Sequence, residues 1–253
     1  MKESKLAKIG LFDSGIGGLT IAKAIRETNP SADMIYLSDN LNFPYGTKSD
    51  EEIIDCAKKA IETLLRKGAR LVVIACNTAT TVGLTKLREM FPEVDIVGVV
   101  PMIKPASQLS KTHTVGVLVT PATLKGAYYA RLKADFGGDI MVIDQACPDW
   151  VEMAENGVIE REKIKRPIEH VIREGADIIV LGCTHFALLM PAIQAVTKGR
   201  AEILQPAQAV ALQVERLLEK RGLSGGSGDM LILSSGSSAR VLQVAQELMD
   251  ARI

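Results

Sequence analysis

Sliding the chain along itself exposes an internal repeat at an offset of 107 residues. At that offset RKGARLVVIACNTA (Arg66 to Ala79) lies on REGADIIVLGCTHF (Arg173 to Phe186). The same offset sets Gly10-Leu11-Phe12-Asp13 on Val117-Leu118-Val119-Thr120, Met34-Ile35-Tyr36 on Met141-Val142-Ile143, and Asp95-Ile96-Val97 on Glu202-Ile203-Leu204. One apolar run matches another cheaply, but four in succession at a single offset do not. The repeat predicts two similar α/β lobes with mostly parallel sheets, related by a pseudo-twofold axis.

Short apolar runs bounded by Gly, Asp, Asn or Thr alternate with longer segments of helical period, the pattern of doubly buried parallel strands joined by helices. The predicted strands are Ile9–Phe12, Met34–Leu37, Leu71–Ala75, Ile96–Val99, Thr114–Val119, Ile140–Ile143, Ile178–Gly182, Ile203–Leu204 and Met230–Leu233. The clearest helix runs from Asp50 to Lys67, with Ile53, Ile54, Ala57, Ile61, Leu64 and Leu65 on one face and Gly68 as its stop. After residue 206 a helix near Ala207–Lys220, a GLSGGSGD turn, the strand LILSS and a helix near Ala239–Met249 have no counterpart in the repeat. By pattern alone this tail either extends the second lobe or returns to the first.

Composition removes several function classes. Lys plus Arg and Asp plus Glu number 30 each in 253 residues, so no basic face is advertised for nucleic acid or an anionic membrane. Aromatics are 4%, which excludes a stacking platform, and 47% apolar residues exclude disorder. Four cysteines without CxxC spacing predict neither a disulfide scaffold nor a metal site, but free thiols in a reducing compartment. With no apolar leader after the basic start and no long apolar run, the chain reads as cytoplasmic and not membrane-bound.

In open parallel sheets ligands bind outside the carboxyl ends of the strands. Those ends carry Asp13 and Ser14; Asp39; Cys76, Asn77 and Thr78; Thr120 and Thr123; and Cys183, Thr184 and His185. Cys76 and Cys183 are equivalent under the repeat, and a pseudo-twofold would aim them at each other across an inter-lobe cleft. Two opposed thiols suit inversion of a carbon that bears an acidic proton, one as base and one as acid. Forming a thiolate at pH 7 from a reference pKa of about 8.5 costs roughly 2 kcal/mol, and a helix N-terminus behind the cysteine would lower that. A lone strand-end cysteine is most often core. Each of these two, however, continues into hydrogen-bonding residues, which core positions rarely do. Cys56 and Cys147 lack that company and are assigned to the core, and His170 lies in a solvated helix. DSGIGG (Asp13 to Gly18) reads more readily as a helix-capping turn than as an anion cradle. His185, two residues past Cys183, is placed either to exchange protons with that thiol or to serve the structure.

The segments KIGLFDSGIGGLT, FPYGTK, VIACNTAT, VGVVPMIKPA, ACPDWVEMAENG and VLGCTHFALL, in this order, resemble the signatures of glutamate racemases within the cofactor-independent aspartate/glutamate racemase family. The resemblance spans roughly residues 8 to 210. It implies a two-lobed fold with the active site in the cleft, interconversion of L- and D-glutamate without pyridoxal phosphate, a supply of D-glutamate for peptidoglycan, and a homodimer. Carried over residue by residue, it makes Cys76 and Cys183 the acid/base pair, the Cys76 side acting on D-glutamate and the Cys183 side on L-glutamate, with Asp13 and His185 assisting. Ser14, Tyr45, Gly46, Asn77, Thr78, Thr120, Thr123 and Thr184 fall in substrate-holding segments, and Asp39 and Glu155 in supporting acidic positions. The resemblance also sends the tail back to the first lobe, giving domains of 1–100 plus 207–253 and 101–206. The chain departs from the family pattern at Ala187, at Gln205-Pro206-Ala207 and in SSGSS (Ser234 to Ser238). The residues themselves leave open aspartate or a hydantoin as substrate, and a two-lobed binding protein that catalyses nothing.

Overall fold

The computed structural model describes residues 6–249. Its chain divides into two compact units, one built from residues up to Val99 together with those from Ala207 on, the other from Val100–Pro206. In the first unit β1 (Lys8–Asp13), β2 (Asp33–Ser38), β3 (Leu71–Ile74) and β4 (Asp95–Gly98) form a sheet of order β4-β3-β1-β2. In the second, β5 (Thr114–Val119), β6 (Met141–Ala146), β7 (Ile178–Leu181) and β8 (Glu202–Leu204) form one of order β8-β7-β5-β6. All pairings are parallel. The tail strand β9 (Met230–Ser234) pairs with β2 and completes the first sheet. The tail helices Ala207–Arg221 and Ala239–Met249 pack on the helix Leu19–Thr28 of the same unit.

The two sheets share one strand order, but not the gap-free register that a single offset predicts. Ile9 pairs with Leu71, whereas Val115, 106 residues beyond Ile9, pairs with Ile178, 107 beyond Leu71. Met34 pairs with Ile9, and Val142, 108 residues beyond Met34, pairs with Val115. The offset is therefore 106 between β1 and β5, 108 between β2 and β6, and 107 only in the β3/β7 and β4/β8 pairs. Gly10 thus answers to Gly116 and not to Val117. The reason is steric: a Cβ at Gly10 would sit 2.9 Å from Ala69 Cβ and 3.0 Å from Leu64 Cβ, and one at Gly116 would sit 2.7 Å from Val171 Cβ. Each glycine lies under the helix packed across the centre of its sheet, so a one-residue slip would drive a side chain into that helix.

The helix expected from Asp50 runs Asp50–Arg66. Ser49 Oγ accepts from Glu52 N while Glu52 Oε2 accepts from Ser49 N, a capping box that satisfies two otherwise orphaned donors. Its Ile53, Ile54, Ala57, Ile61 and Leu64 are buried against Ile35, Val72 and Ile74, and Gly68 ends the segment at φ +94°. Strand β6 continues three residues past its expected end at Ile143. It lies at a sheet edge where Asp144 accepts from Tyr129 Oη and Lys133 Nζ, so a polar residue costs little there.

Candidate active site

In the first unit β1 and β3 end side by side, with Ala75 N donating to Phe12 O at 2.8 Å. Asp13-Ser14 and Cys76-Asn77 therefore leave the sheet as neighbours. Ser14 Oγ lies 3.7 Å from Cys76 Sγ. The Asp13 carboxylate is fully buried and accepts from Ser14 N at 2.7 Å and Gly18 N at 2.6 Å. Two amides of the DSGIGG turn are thus used by the chain's own carboxylate at the start of the helix Leu19–Thr28, which fits the capping role better than an open anion cradle. Gly18 is obligatory: a Cβ there would meet Ala75 Cβ at 2.8 Å and Asp13 Cβ at 2.9 Å.

Cys76 is 5% exposed and stands directly before the helix Asn77–Met90, whose free amides favour a negative charge at that end. Asn77 is 3% exposed, and neither its Oδ1 nor its Nδ2 has a hydrogen-bond partner. Thr78 is half-buried on the first turn. Asp39 follows β2, and its amide donates to Asp13 O at 2.8 Å. Its carboxylate accepts from Tyr45 Oη at 2.6 Å and from Asn42 Nδ2 at 3.0 and 3.1 Å. The phenol of Tyr45 is buried, and its pKa is driven far up by that burial, by the bond to Asp39 and by the nearby charges of Asp39, Cys76 and Cys56. Gly46 is exposed in the short turn Tyr45–Thr47 that follows a cis Phe43–Pro44 peptide.

In the second unit Gly182 N donates to Leu118 O at 2.8 Å, which brings Cys183 out beside the end of β5. Cys183 is 9% exposed and precedes a 3-10 helix, Thr184–Leu189, rather than an α-helix. His185 Nδ1 lies 3.9 Å from Cys183 Sγ, and its Nε2 lies 2.6 Å from Glu155 Oε1. Glu155 is carried by the helix Trp150–Asn156. That helix is held on the 3-10 turn by the edge contact of Trp150 with Phe186, centroids 4.9 Å apart, while Trp150 Nε1 donates to Lys163 O at 3.0 Å. The carboxylate fixes the imidazole ring so that its other nitrogen faces the thiol, an arrangement suited to passing a proton to or from sulfur. Thr120 and Thr123 share a 3.0 Å hydroxyl contact, and Thr120 caps the helix Pro121–Lys125, so both are engaged locally at the end of β5. Thr184 is buried beside Cys183.

Each unit thus gathers its own share of the expected residues: Asp13, Ser14, Cys76 and Asn77 with the Asp39–Tyr45 pair in one, and Cys183, Thr184, His185 and Glu155 in the other. Sequence reasoning missed Gly18 and Asn42 as donors to the two carboxylates. The Asp39-x-x-Asn42 spacing was the available sign, because an Asx side chain readily bonds within its own turn.

Residues 19–214 match the family model described as Asp/Glu/Hydantoin racemase. The chain is 37% identical over 256 residues to a glutamate racemase of Roseiflexus sp., covering 98% of this chain and 94% of the relative. It is 40% identical to that of Herpetosiphon aurantiacus, covering 94% and 96%. The fold superposes on the crystal structure of Escherichia coli glutamate racemase, solved with L-glutamate and the activator UDP-MurNAc-Ala, with a TM-score of 0.87 at 33% identity, covering 96% of this chain and 95% of that one.

Proposed function

The chain belongs to the Asp/Glu/Hydantoin racemase family and is an amino-acid racemase, and from that premise we propose that it interconverts L- and D-glutamate by two-base proton transfer at Cα. The carrying observation is that Cys76 and Cys183 end equivalent strands, each with a hydrogen-bonding or acid–base neighbour in its own unit. In this reading one thiolate removes the Cα proton from one face while the other thiol delivers a proton to the opposite face. Cys183 is the base toward L-glutamate and Cys76 the base toward D-glutamate, with His185 and Asp13 assisting the respective sulfurs and Glu155 holding His185.

Asn77 supports the substrate assignment. An amide offers both a donor and an acceptor, so Nδ2 can bind a carboxylate oxygen while Oδ1 accepts from an ammonium. Both are buried and unpartnered in the chain itself. Ser14, Thr78, Thr120, Thr123, Thr184 and the backbone of Tyr45 and Gly46 complete the polar lining around the two carboxylates of the substrate. The reaction runs without pyridoxal phosphate, and the D-glutamate goes to peptidoglycan synthesis in the cytoplasm, the enzyme acting as a homodimer.

The test is incubation with L-glutamate in deuterated water without added cofactor, following the Cα proton by NMR alongside optical rotation. Exchange of the proton and decay of rotation to zero are expected. Retention of both, or faster exchange of aspartate run in parallel, would overturn the assignment. Cys76→Ala and Cys183→Ala should each abolish racemisation with unchanged circular dichroism, and near-normal turnover in either would refute the two-base mechanism.

A further inference from the structure

The observed register shows which residue of the second unit answers to Asp39. Ser38, the last residue of β2, pairs with Asp13, and Ala146, the last of β6, pairs with Val119. The next residue in each case turns its amide back onto the neighbouring strand: Asp39 N donates to Asp13 O and Cys147 N to Val119 O, both at 2.8 Å. Cys147 therefore occupies the place of Asp39, and Val119 the place of Asp13. Where the unit of Cys76 has two carboxylates, the unit of Cys183 has a thiol and an isopropyl group.

Cys147 is 1% exposed, lies in the same core cluster as Cys183, and has its Sγ 3.8 Å from Gln145 O. Burial, and then the proximity of Cys183, keep its thiol protonated well above the usual range. Among the described residues of its unit, the titratable groups near Cys183 include His185 from the 3-10 turn, Glu155 behind it on the helix Trp150–Asn156, and Cys147 from the end of β6.

The geometry points to Cys147 as a positioning residue for Cys183: a small neutral side chain, held at the strand-end position where the first unit has a carboxylate, that lets Cys183 ionise without a negative charge beside it. This rests on the reading of Cys183 as an acid/base group. A carboxylate at 147 would oppose the thiolate and raise its titration midpoint, and a midpoint higher by one in pH leaves about tenfold less thiolate below it.

The experiment measures iodoacetamide alkylation of Cys183 against pH in a Cys76→Ser background, resolved by peptide mass spectrometry. It compares Cys147 with Cys147→Asp and Cys147→Asn, which have the same shape as each other and differ in charge. Cys147→Asp should raise the Cys183 midpoint by about one in pH or more, while Cys147→Asn leaves it within roughly 0.3. Equal midpoints in the two variants would overturn the inference. Should Cys147→Asp not fold, the reciprocal change carries the test: Asp39→Asn in a Cys183→Ser background should lower the Cys76 midpoint, and no change there would overturn it. With Cys76 restored, kcat/KM in Cys147→Asp should fall about tenfold at pH 7, and equally for both enantiomers because the equilibrium constant of racemisation is one. The alkylation midpoints do not depend on turnover. An unmoved midpoint refutes this inference alone, whereas absence of Cα exchange in the wild type refutes the racemase reading alone.

Discussion

Replacing Asn77 by leucine should make the protein more stable and less active at once. The Asn77 amide is 3% exposed with neither end paired. A buried polar group without a partner carries a desolvation penalty of about 1–3 kcal/mol. Leucine has the same γ-branched shape with bulkier methyl ends, opens no cavity and tolerates the first helical turn, so the removed penalty outweighs the cost of seating the two methyls. A gain of about 2 kcal/mol corresponds to a rise in Tm of roughly 4–8 °C for a chain of this size. The assay pairs thermal unfolding by circular dichroism with racemase turnover, each with and without D-glutamate. Ligand at a hundredfold excess over Kd stabilises a native state by about 2.7 kcal/mol, and the wild type should show such a rise while Asn77→Leu shows little or none. A variant that is destabilised and retains wild-type turnover would refute the reasoning, since the amide would then be serving the fold.

Two further outcomes follow from packing and charge. Gly116→Ala should destabilise by about 1–3 kcal/mol in urea unfolding, and more than Gly10→Ala. The new Cβ meets the branched carbon of Val171 at 2.7 Å in the first case and the smaller Ala69 at 2.9 Å in the second. A wild-type midpoint for Gly116→Ala would contradict the register. For Asp177, burial raises the pKa, but hydrogen bonds from Ser110, Lys111 and Thr112 outweigh it and hold the carboxyl at about 2. A depressed native pKa contributes stability that is present above the unfolded value near 3.8 and is lost as pH falls through about 2. Stability of Asp177→Asn should accordingly be lower than wild type at pH 6 and converge with it near pH 2, and parallel pH profiles would show that the carboxylate is not stabilising.

The strands were legible because buried apolar runs end at Gly, Asp or Thr, and the thiols because both cysteines follow such runs. Register was less legible. Strand β5 is buried along its whole length, so sliding it by one residue exchanges one apolar side chain for another, and apolar matching cannot detect the slip. The informative residues were the ones with no side chain, Gly10 and Gly116, whose spacing of 106 reports where a helix crosses each sheet. The family resemblance pointed to His185 and Glu155 separately, but their contact was not legible. It depends on how Trp150 and Phe186 seat one helix against a 3-10 turn, and no periodicity encodes that. The bond of the Tyr45 phenol to Asp39 is likewise a link that a six-residue separation through a turn does not disclose.

The pairing of β9 with β2 has a consequence for synthesis on the ribosome. Met34 and Met230 are register partners, yet the whole second unit lies between them in the chain. That unit is continuous and can fold as soon as its last strand emerges, while the first waits with one edge of its sheet unpaired until the tail arrives. The exposed edge of β2 is then the region most open to misassembly in the newborn chain, for a time set by the length of the intervening unit.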